Sequence, residues 1–591
     1  MHEFRVWAPV AGDVSLQIGE QKHPMQPAGG GWWKIESKEA EPGTDYGYIV
    51  NGEGPFPDPR SAWQPYGVHG PSRLFDHSKF RWTDNGWQPR PLSSAAIYEL
   101  HVGTFTGEGT FLGVIEHLDY LVDLGITHIE LMPVAEFSGE WGWGYDSVDL
   151  FAPHHAYGTP DDLKFLIDTC HNRGLAVLLD VVYNHFGPAG NYLGKFGPYL
   201  IDAYKTPWGQ AVNLDHKGNR EVRRLFVDNA LMWLRDYHLD GLRLDAVHAF
   251  VDNSAVHFLE FLASEVEVLS SRIGRHLVLI AESDLNTPCI VRSREASGYG
   301  IDAQWSDDFH HALHTVLTGE NKGYYEDFGL LAQLAKALTS VFVYDGVYSP
   351  HRDSIHGRPV IGLSGRHFLA YSQNHDQVGN RAQGERLCHL VNVGAQKIAA
   401  ALVLTSPFIP MLFQGEEFAA SSPFQYFSQH EDPTLARNVS EGRKNEFKAF
   451  GWSPEEVPDP QDRAAFDRSK LRWSEVTQGE HGEMFNWYKQ LIALRHSTPE
   501  LTDGRLTEVN VTFNERARWL VLKRGDIEIV ANFAPDSQAI PISRMPRGIL
   551  ASSDRWDLRP GLIEIPGDSV AILSPQAIAS MQQHFRQYVT A

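Results

Sequence analysis

Cysteine is scarce: Cys170, Cys289 and Cys388 are the three in a 591-residue chain, widely spread and without a CxxC, which excludes a disulfide framework. A basic excess is missing too. Against 74 Asp+Glu stand 51 Lys+Arg, a net charge of −23, so neither nucleic acid nor an anionic membrane is an expected partner, because phosphate binding needs a basic footprint. Met1 to Pro9 shows no basic segment followed by an apolar run, and no secretory leader is expected. The longest apolar stretch, Ile398 to Phe413, is interrupted by Ser406, Pro407 and Pro410 and is too short to span a bilayer. The expected compartment is the cytoplasm, which makes the sequons at Asn438 and Asn510 chance matches. No internal repeat occurs, and no GxGxxG opens a helix after a first strand, which argues against a dinucleotide site.

What is present is globular: 42% hydrophobic and 21% charged residues, over a length that calls for about two to four domains. Aromatic residues reach 12%, with 16 Trp, 21 Tyr and 31 Phe. They fit a large core, and equally flat stacking faces for a sugar.

Three segments differ in pattern. Residues 1–88 alternate as short strands: Phe4, Val6 and Ala8, then Val14, Leu16 and Ile18, then Trp32, Trp33 and Ile35, then Tyr46, Tyr48 and Val50 before the hairpin signal Asn51-Gly52. An N-terminal immunoglobulin-like β-sandwich is expected, with Trp32 and Trp33 in its core and Pro55 to Pro71 as a linker or a loop packed on the next domain. From residue 93 to about 500, strands alternate with helices. Strands are expected at Ala96–Leu100, His128–Met132, Ala176–Val182, Gly241–Leu244, Val278–Ala281, Asp302–Trp305, Phe368–Tyr371 and Phe408–Phe413, with helices such as Asp161–Asn172 and Asn219–Tyr237 between them. Eight such pairs fit an α/β fold, a (β/α)8 barrel, better than an open sheet. A short insertion after the third strand covers about 186–219. From 505 to 591 strands return, at Val509–Phe513, Trp519–Leu522, Ile527–Phe533, Leu562–Ile565 and Val570–Leu573, as a C-terminal antiparallel β-domain. Its tail, with Ile578, Met581, Phe585 and Tyr588 at helical spacing, is expected to form a docking helix.

Barrel sites lie where strands end at their C-termini. Strand three runs into Asp180-Val-Val-Tyr-Asn-His185, strand four into Arg243-Leu-Asp245-Ala-Val-His248, strand five into Glu282-Ser-Asp284, and strand seven into His375-Asp376-Gln-Val-Gly-Asn-Arg381. A lone Asp at such a place is commonly a helix cap. Four acidic clusters on one rim need another reason. Cleavage of a glycosidic bond needs a carboxylate facing the anomeric carbon and a protonated acid facing the leaving oxygen. Asp245 fits the first, with Arg243 two residues before it on the same strand face to keep it ionised. Glu282 follows the apolar run Leu277 to Ala281, where burial raises a carboxyl pKa into the range of a general acid. Asp376, His185 and His375 are candidate partners of the sugar hydroxyls. Trp141, Trp143 and Tyr145 among glycines make a poor core, and a sugar-stacking loop is the better reading. The i, i+4 pair His310 and His314 has a spacing a metal could use, but no HExxH accompanies it, and a capped helix start with surface histidines is preferred over zinc.

In order along the chain, these four segments resemble the signature regions of the α-amylase superfamily, and the resemblance extends over nearly the whole chain. It implies retaining double displacement with Asp245 as nucleophile, Glu282 as acid/base and Asp376 as transition-state stabiliser. It also implies Tyr145 as the stacking residue at the cleaved sugar, and Arg243, His185, His248 and His375 as contacts around it. Asn184 resembles a calcium-binding position of many amylases, but the segment 186–219 has few acids, so no metal and no cofactor is expected. The segments Trp141–Asp146, Phe151–Thr159, Phe186–Tyr192, Gln304–His311, Gln373–Asn380 and Glu441–Trp452 resemble most the members of that superfamily that act on maltooligosyl trehalose. This implies release of trehalose and a maltooligosaccharide, in partnership with the enzyme that makes maltooligosyl trehalose; branching or debranching of α-glucans is the alternative. Trehalose is compact and bent and calls for a walled pocket. Asp307, Asp308, His310 and His311 after strand six, and Gln377 and Asn380 after Asp376, are expected to bond its hydroxyls.

Overall fold

In a computed structural model, described for residues 2–447 and 451–575, the eight apolar runs become parallel strands. They are β1 (Ile97–Leu100), β2 (His128–Leu131), β3 (Ala176–Val181), β4 (Gly241–Leu244), β5 (Val278–Ala281), β6 (Ala303–Trp305), β7 (Phe368–Ala370) and β8 (Ile409–Phe413). They pair in chain order into a closed barrel, with Met411 of β8 opposite Ile97 of β1. The strands end within one or two residues of the sequence expectation. Side chains filling the barrel are buried, as in Leu178, Ile280 and Met411. Gly241 is required where it stands: a Cβ there would lie 2.5 Å from the Val278 carbonyl oxygen of the neighbouring strand.

Return helices start where local chemistry favours it. Helix Pro160–Asn172 opens with Thr159 and Asp162 bonding each other's backbone amides and proline in its first turn, which satisfies amides that have no helical partner. Helix Asn219–Asp236 buries Leu225, Phe226 and Trp233. The apolar stretch Ile398 to Phe413 is the end of helix Val393–Thr405 followed by β8. Among the described residues, no helix is long and apolar enough to cross a membrane.

The N-terminal strands form two antiparallel sheets. One contains His2–Trp7, Trp32–Ser37 and Gln26–Gly29; the other runs Gln21–Pro24, Val14–Ile18, Asp45–Val50, Glu53–Phe56. Asn51 and Gly52 both have positive φ in the turn between the last two strands, the conformation their pairing announces. Trp32 is only partly buried and donates to Glu221 (3.2 Å) on the barrel helix, with Arg5 and Arg60 over its ring. It is therefore an interface residue as well as a strand residue. Arg60, in the proline-rich stretch, pairs with Asp228 of the same helix at 2.8 Å, so that stretch packs against the barrel.

After the barrel, a five-stranded and a three-stranded antiparallel sheet follow. The five expected strands are present, and three more appear at Gln538–Pro541, Gly548–Ser552 and Asp557–Arg559. Arg524 of this domain donates to Thr405 O at 2.7 Å, at the end of the helix before β8. The expected tail helix lies outside the described residues.

Candidate active site

Arg243 on β4 is fully buried, and three carboxylates surround its guanidinium. Its Nη1 donates to Asp180 Oδ2 (2.6 Å) and Asp245 Oδ1 (2.9 Å), and its Nη2 lies 2.8 Å from Glu282 Oε2. The opposite face is covered by Trp305, with the guanidinium carbon 4.2 Å from the ring centroid, a cation–π contact in a desolvated place. Burial pushes Asp180 up to about 7 against the opposing pull of Arg243. Glu282 is raised by burial and by the Asp245 charge, with Arg243 and the Ala246 amide acting against the rise.

The residues around this centre are fixed by local structure. Asn184, just after β3, donates to Asp245 Oδ2 at 2.7 Å and to its carbonyl at 3.0 Å. Its side-chain oxygen bonds His185 Nδ1. That amide serves the Asp245 carboxylate and its neighbour. Ala246 follows Asp245 with φ of +39°, a sparsely populated conformation for a non-glycine residue, and its N–H donates to Glu282 Oε2 at 2.9 Å. Glu282 Oε1 is left for the cavity. Asp376 sits in the first turn of helix His375–Gly379, whose start is capped by the Asn374 side chain. Asn380 donates to Asp376 Oδ1 at 2.6 Å, and burial together with the Glu282 charge raises the Asp376 pKa.

Tyr145 donates to Asp180 Oδ2 (2.6 Å), its hydroxyl is 2.8 Å from His375 Nε2, and its ring stacks on that imidazole. Glu99 of β1 bonds both the His375 amide and Nδ1. Burial disfavours protonation of His375, but the Glu99 carboxylate outweighs it and the pKa is raised. Since the tyrosine proton is directed to Asp180, a proton on each ring nitrogen satisfies every contact of His375. Burial instead holds His185 down to about 4, so this ring is neutral at pH 7. One face of it stacks on Trp208, with centroids 4.8 Å apart and planes at 7°.

Asp245, Glu282 and Asp376 open on a common cavity of 440 Å³, within the range of about 300–1,000 Å³ of small-molecule sites. Trp143, Tyr145, His185, His248, His375 and Asn380 also line it. Arg243 stands behind the carboxylates. Asp307 and Gln377 bond each other at 3.3 Å, Asp307 also accepts from Tyr371 (2.6 Å), and burial and the Glu282 charge push Asp307 up to about 7. They border the centre without lining this cavity.

Asp308, His310 and His311, expected to bond trehalose, do not line this cavity. Asp308 Oδ2 accepts from Asn286 Nδ2 (2.9 Å) and from the Val343 and Tyr344 amides (2.7 and 2.9 Å). It is an internal fastener for the chain after helix Leu331–Ser340. His310 is bonded to Ser372 O and Tyr325 OH, each at 2.9 Å, and His311 is packed against Tyr324 and Phe328. His310 and His314 are buried, not surface residues as expected, and His314 bonds Glu320 at 2.7 Å. Replacing Asp308 by Ala leaves the buried Val343 and Tyr344 amides unpaired, while Asn286 keeps its bond to Tyr344 O at 3.1 Å. It is expected to cost roughly 3 kcal/mol of stability, at about 1–3 kcal/mol per unpaired group, while kcat of the folded enzyme stays within about threefold. Thermal unfolding and steady-state rates measure both; a large kcat loss at unchanged stability would return Asp308 to the substrate.

Trp141 also departs from its expected role. It is buried against Phe466 and does not line the cavity, and Trp143 is mostly wall, its Nε1 donating to Gln425 O at 2.9 Å. The exposed stacking face belongs to Trp208, at the turn between strands Leu200–Thr206 and Gly209–Val212. Arg443 of helix Pro433–Glu446 also lines the cavity and donates to Asn380 Oδ1 and Gly379 O, both at 2.6 Å. Sequence reasoning did not single out either residue, although Arg443 lies in a segment, Glu441–Trp452, that carried the resemblance.

The family model for the α-amylase catalytic domain matches residues 78–197, and that of a domain of unknown function (DUF3459) matches 504–572. A malto-oligosyltrehalose trehalohydrolase of Rhizobium sp. (strain M-11) is 48% identical over 96% of this chain and 97% of its own length. One from Mycobacterium tuberculosis is 48% identical over 92% and 94%. A crystal structure of a putative α-amylase from Salmonella typhimurium superimposes with a TM-score of 0.89 at 37% identity, covering 97% of both chains. The chain thus belongs to the malto-oligosyltrehalose trehalohydrolase family, built on the catalytic barrel of the α-amylases.

Proposed function

We propose that this enzyme hydrolyses the α-1,4-glucosidic bond next to the terminal trehalose of maltooligosyl trehalose, with retention, releasing trehalose and a shorter maltooligosaccharide. The observation that carries the reading is the sharing of one guanidinium by Asp245 and Glu282 at the floor of a single cavity. Carboxyls on neighbouring nitrogens of one planar group favour the short separation, about 5 Å, of a nucleophile and its acid/base over the about 6.5–9.5 Å that admits a water between them.

Asp245 attacks the anomeric carbon while Glu282 Oε1 gives its proton to the departing oxygen. Arg243 and Asn184 hold the Asp245 carboxylate in its attacking orientation. Water, deprotonated by Glu282, then releases the sugar from Asp245. Asp376 bonds hydroxyls of the sugar being distorted, and His375, held between Glu99 and Tyr145, forms part of the wall beside it. Trp208 stacked on His185, and Arg443 over the Tyr426 ring, make walls suited to a bent disaccharide. The substrate implies a partner enzyme that makes maltooligosyl trehalose, and we place both in the cytoplasm, where three free thiols stay reduced.

Because Glu282 must be protonated for the first step, kcat/KM is expected to fall as pH rises through its pKa, which burial sets above the ordinary carboxyl range. In Glu282→Gln, assayed on a maltoside with an activated aryl leaving group, that alkaline limb should vanish from kcat/KM. An unchanged limb would assign the acid to another group. The substrate reading is tested by incubating maltooligosyl trehalose and plain maltooligosaccharides in parallel. Trehalose as the small product of the first supports it; faster cleavage of the plain chain, or new α-1,6 bonds, would replace it with an amylase or a branching enzyme.

A further inference from the structure

Away from the catalytic cavity, the hairpin of strands Ala135–Phe137 and Ser147–Pro153 carries at its base a cluster the mechanism does not use. Glu136 Oε1 lies 2.8 Å from His155 Nδ1 and 3.3 Å from His154 Nδ1. The ligand-capable atoms of the three residues all fall within 4.8 Å of one another. Glu136 and His154 side chains are fully buried, while that of His155 is 25% exposed. Among the described residues, the Nε2 of His154 has no hydrogen-bond partner, and its Nδ1 meets Glu136 alone, in poor hydrogen-bond geometry. A buried imidazole so incompletely satisfied is costly unless something further bonds it.

The geometry points to a divalent transition-metal site, best suited to zinc, formed by Glu136, His154 and His155, with solvent completing the shell beside His155. Two imidazoles and one carboxylate match zinc chemistry, whereas calcium and magnesium call for oxygen ligands. With ligand bonds of about 2.0–2.1 Å, neighbouring donors of a tetrahedral ion stand about 3.3 Å apart, close to the spacings present. The local structure already orients the donors. Glu136 Oε2 accepts from the His155 amide at 2.7 Å, the His154 ring stacks on Phe137 with centroids 3.7 Å apart, and the His154 amide donates to Val134 O. Such fixing by neighbouring groups is what tunes metal ligands.

The position gives the ion a role. The two strands carry residues 138–146, which bring Trp143 and Tyr145 to the catalytic cavity, and an ion at the other end of the strand pair would fasten the base of that hairpin. The site is therefore structural, acting on the loop and not on the reacting atoms. It is separate from the His310–His314 pair at which sequence spacing alone would look for zinc.

Full-length enzyme stripped with a chelator and titrated with zinc chloride should bind one equivalent with a rise in Tm, since a ligand selective for the folded state stabilises it. Cobalt should give the visible bands of a tetrahedral ion. His155→Ala, at the exposed edge, should fold normally by circular dichroism, weaken zinc binding by at least about tenfold and lose the cobalt bands; Glu136→Gln should do the same if it folds. Absence of a saturable equivalent, or an unchanged affinity and spectrum in His155→Ala, would overturn the site.

Discussion

Asp245→Ala is expected to lose about 10⁴-fold or more in kcat while its fold stays intact, roughly 5.5 kcal/mol of transition-state stabilisation at about 1.4 kcal/mol per decade. The lost group forms the covalent bond, and among the described residues no second carboxylate is held by both Asn184 and Arg243. Asn184 and Arg243 both point at the vacated place, which leaves it polar and able to take a small anion. Azide supplied with α-maltosyl fluoride should therefore restore turnover and yield a β-linked glycosyl azide, because it attacks from the Asp245 side. Glu282→Ala should give the opposite anomer, since azide there meets the intermediate on Asp245 from the other face. The stereochemistry, read by NMR, assigns each carboxylate independently of rate. A β-azide from Glu282→Ala would exchange the two roles.

The second large effect is expected at Arg243. Removing it by Arg243→Met takes away the cation shared by Asp180, Asp245 and Glu282. Breaking a buried ion network in this way costs about 3–5 kcal/mol, and kcat should fall by about 10³-fold as the carboxylates take up protons or shift. Arg243→Lys should recover little, since an ammonium cannot present two separate edges to different carboxylates. The loss also has a pH signature. Asp180 already has a pKa near 7 in the folded protein, well above that of an unfolded carboxyl, so its protonation favours the folded state at low pH. That contribution begins to be lost as pH passes the unfolded value and is gone above the folded one. Without Arg243 the folded pKa rises further. The Tm deficit of Arg243→Met against the parent enzyme should therefore be larger at pH 8 than at pH 5; a deficit independent of pH would mean that the guanidinium does not control these protons.

Legibility of the molecule in its sequence follows the range of the interactions concerned. The barrel strands were readable because each is a short apolar run bounded by turns, and their closing order follows from the chain order. Asp245, Glu282 and Asp376 were readable because a strand's C-terminal end faces the barrel mouth whatever the rest of the molecule does. The same rule misled at Asp308, His310 and His311. They too follow a strand, but helix Asp307–Thr318 turns them inward, and their partners Val343, Tyr344, Tyr325 and Ser372 arrive from distant segments with no local mark. Trp208 and Arg443 were missed for the converse reason. A hairpin turn and a polar helix look like surface, and only tertiary packing sets one ring on His185 and one guanidinium beside Asn380. The glycine-spaced aromatic run split according to depth, with Tyr145 at the cavity and Trp141 in the core.

The central claim is that Asp245 becomes covalently bound to the sugar while Glu282 serves as its acid/base. Trapping the enzyme with a slow-reacting fluorinated maltosyl fluoride, followed by proteolysis and mass spectrometry, measures this directly. The account predicts one glycosyl adduct on the peptide containing Asp245, displaced on adding maltooligosyl trehalose as acceptor. An adduct on Glu282 or Asp376, or complete inactivation with none on Asp245, would contradict it.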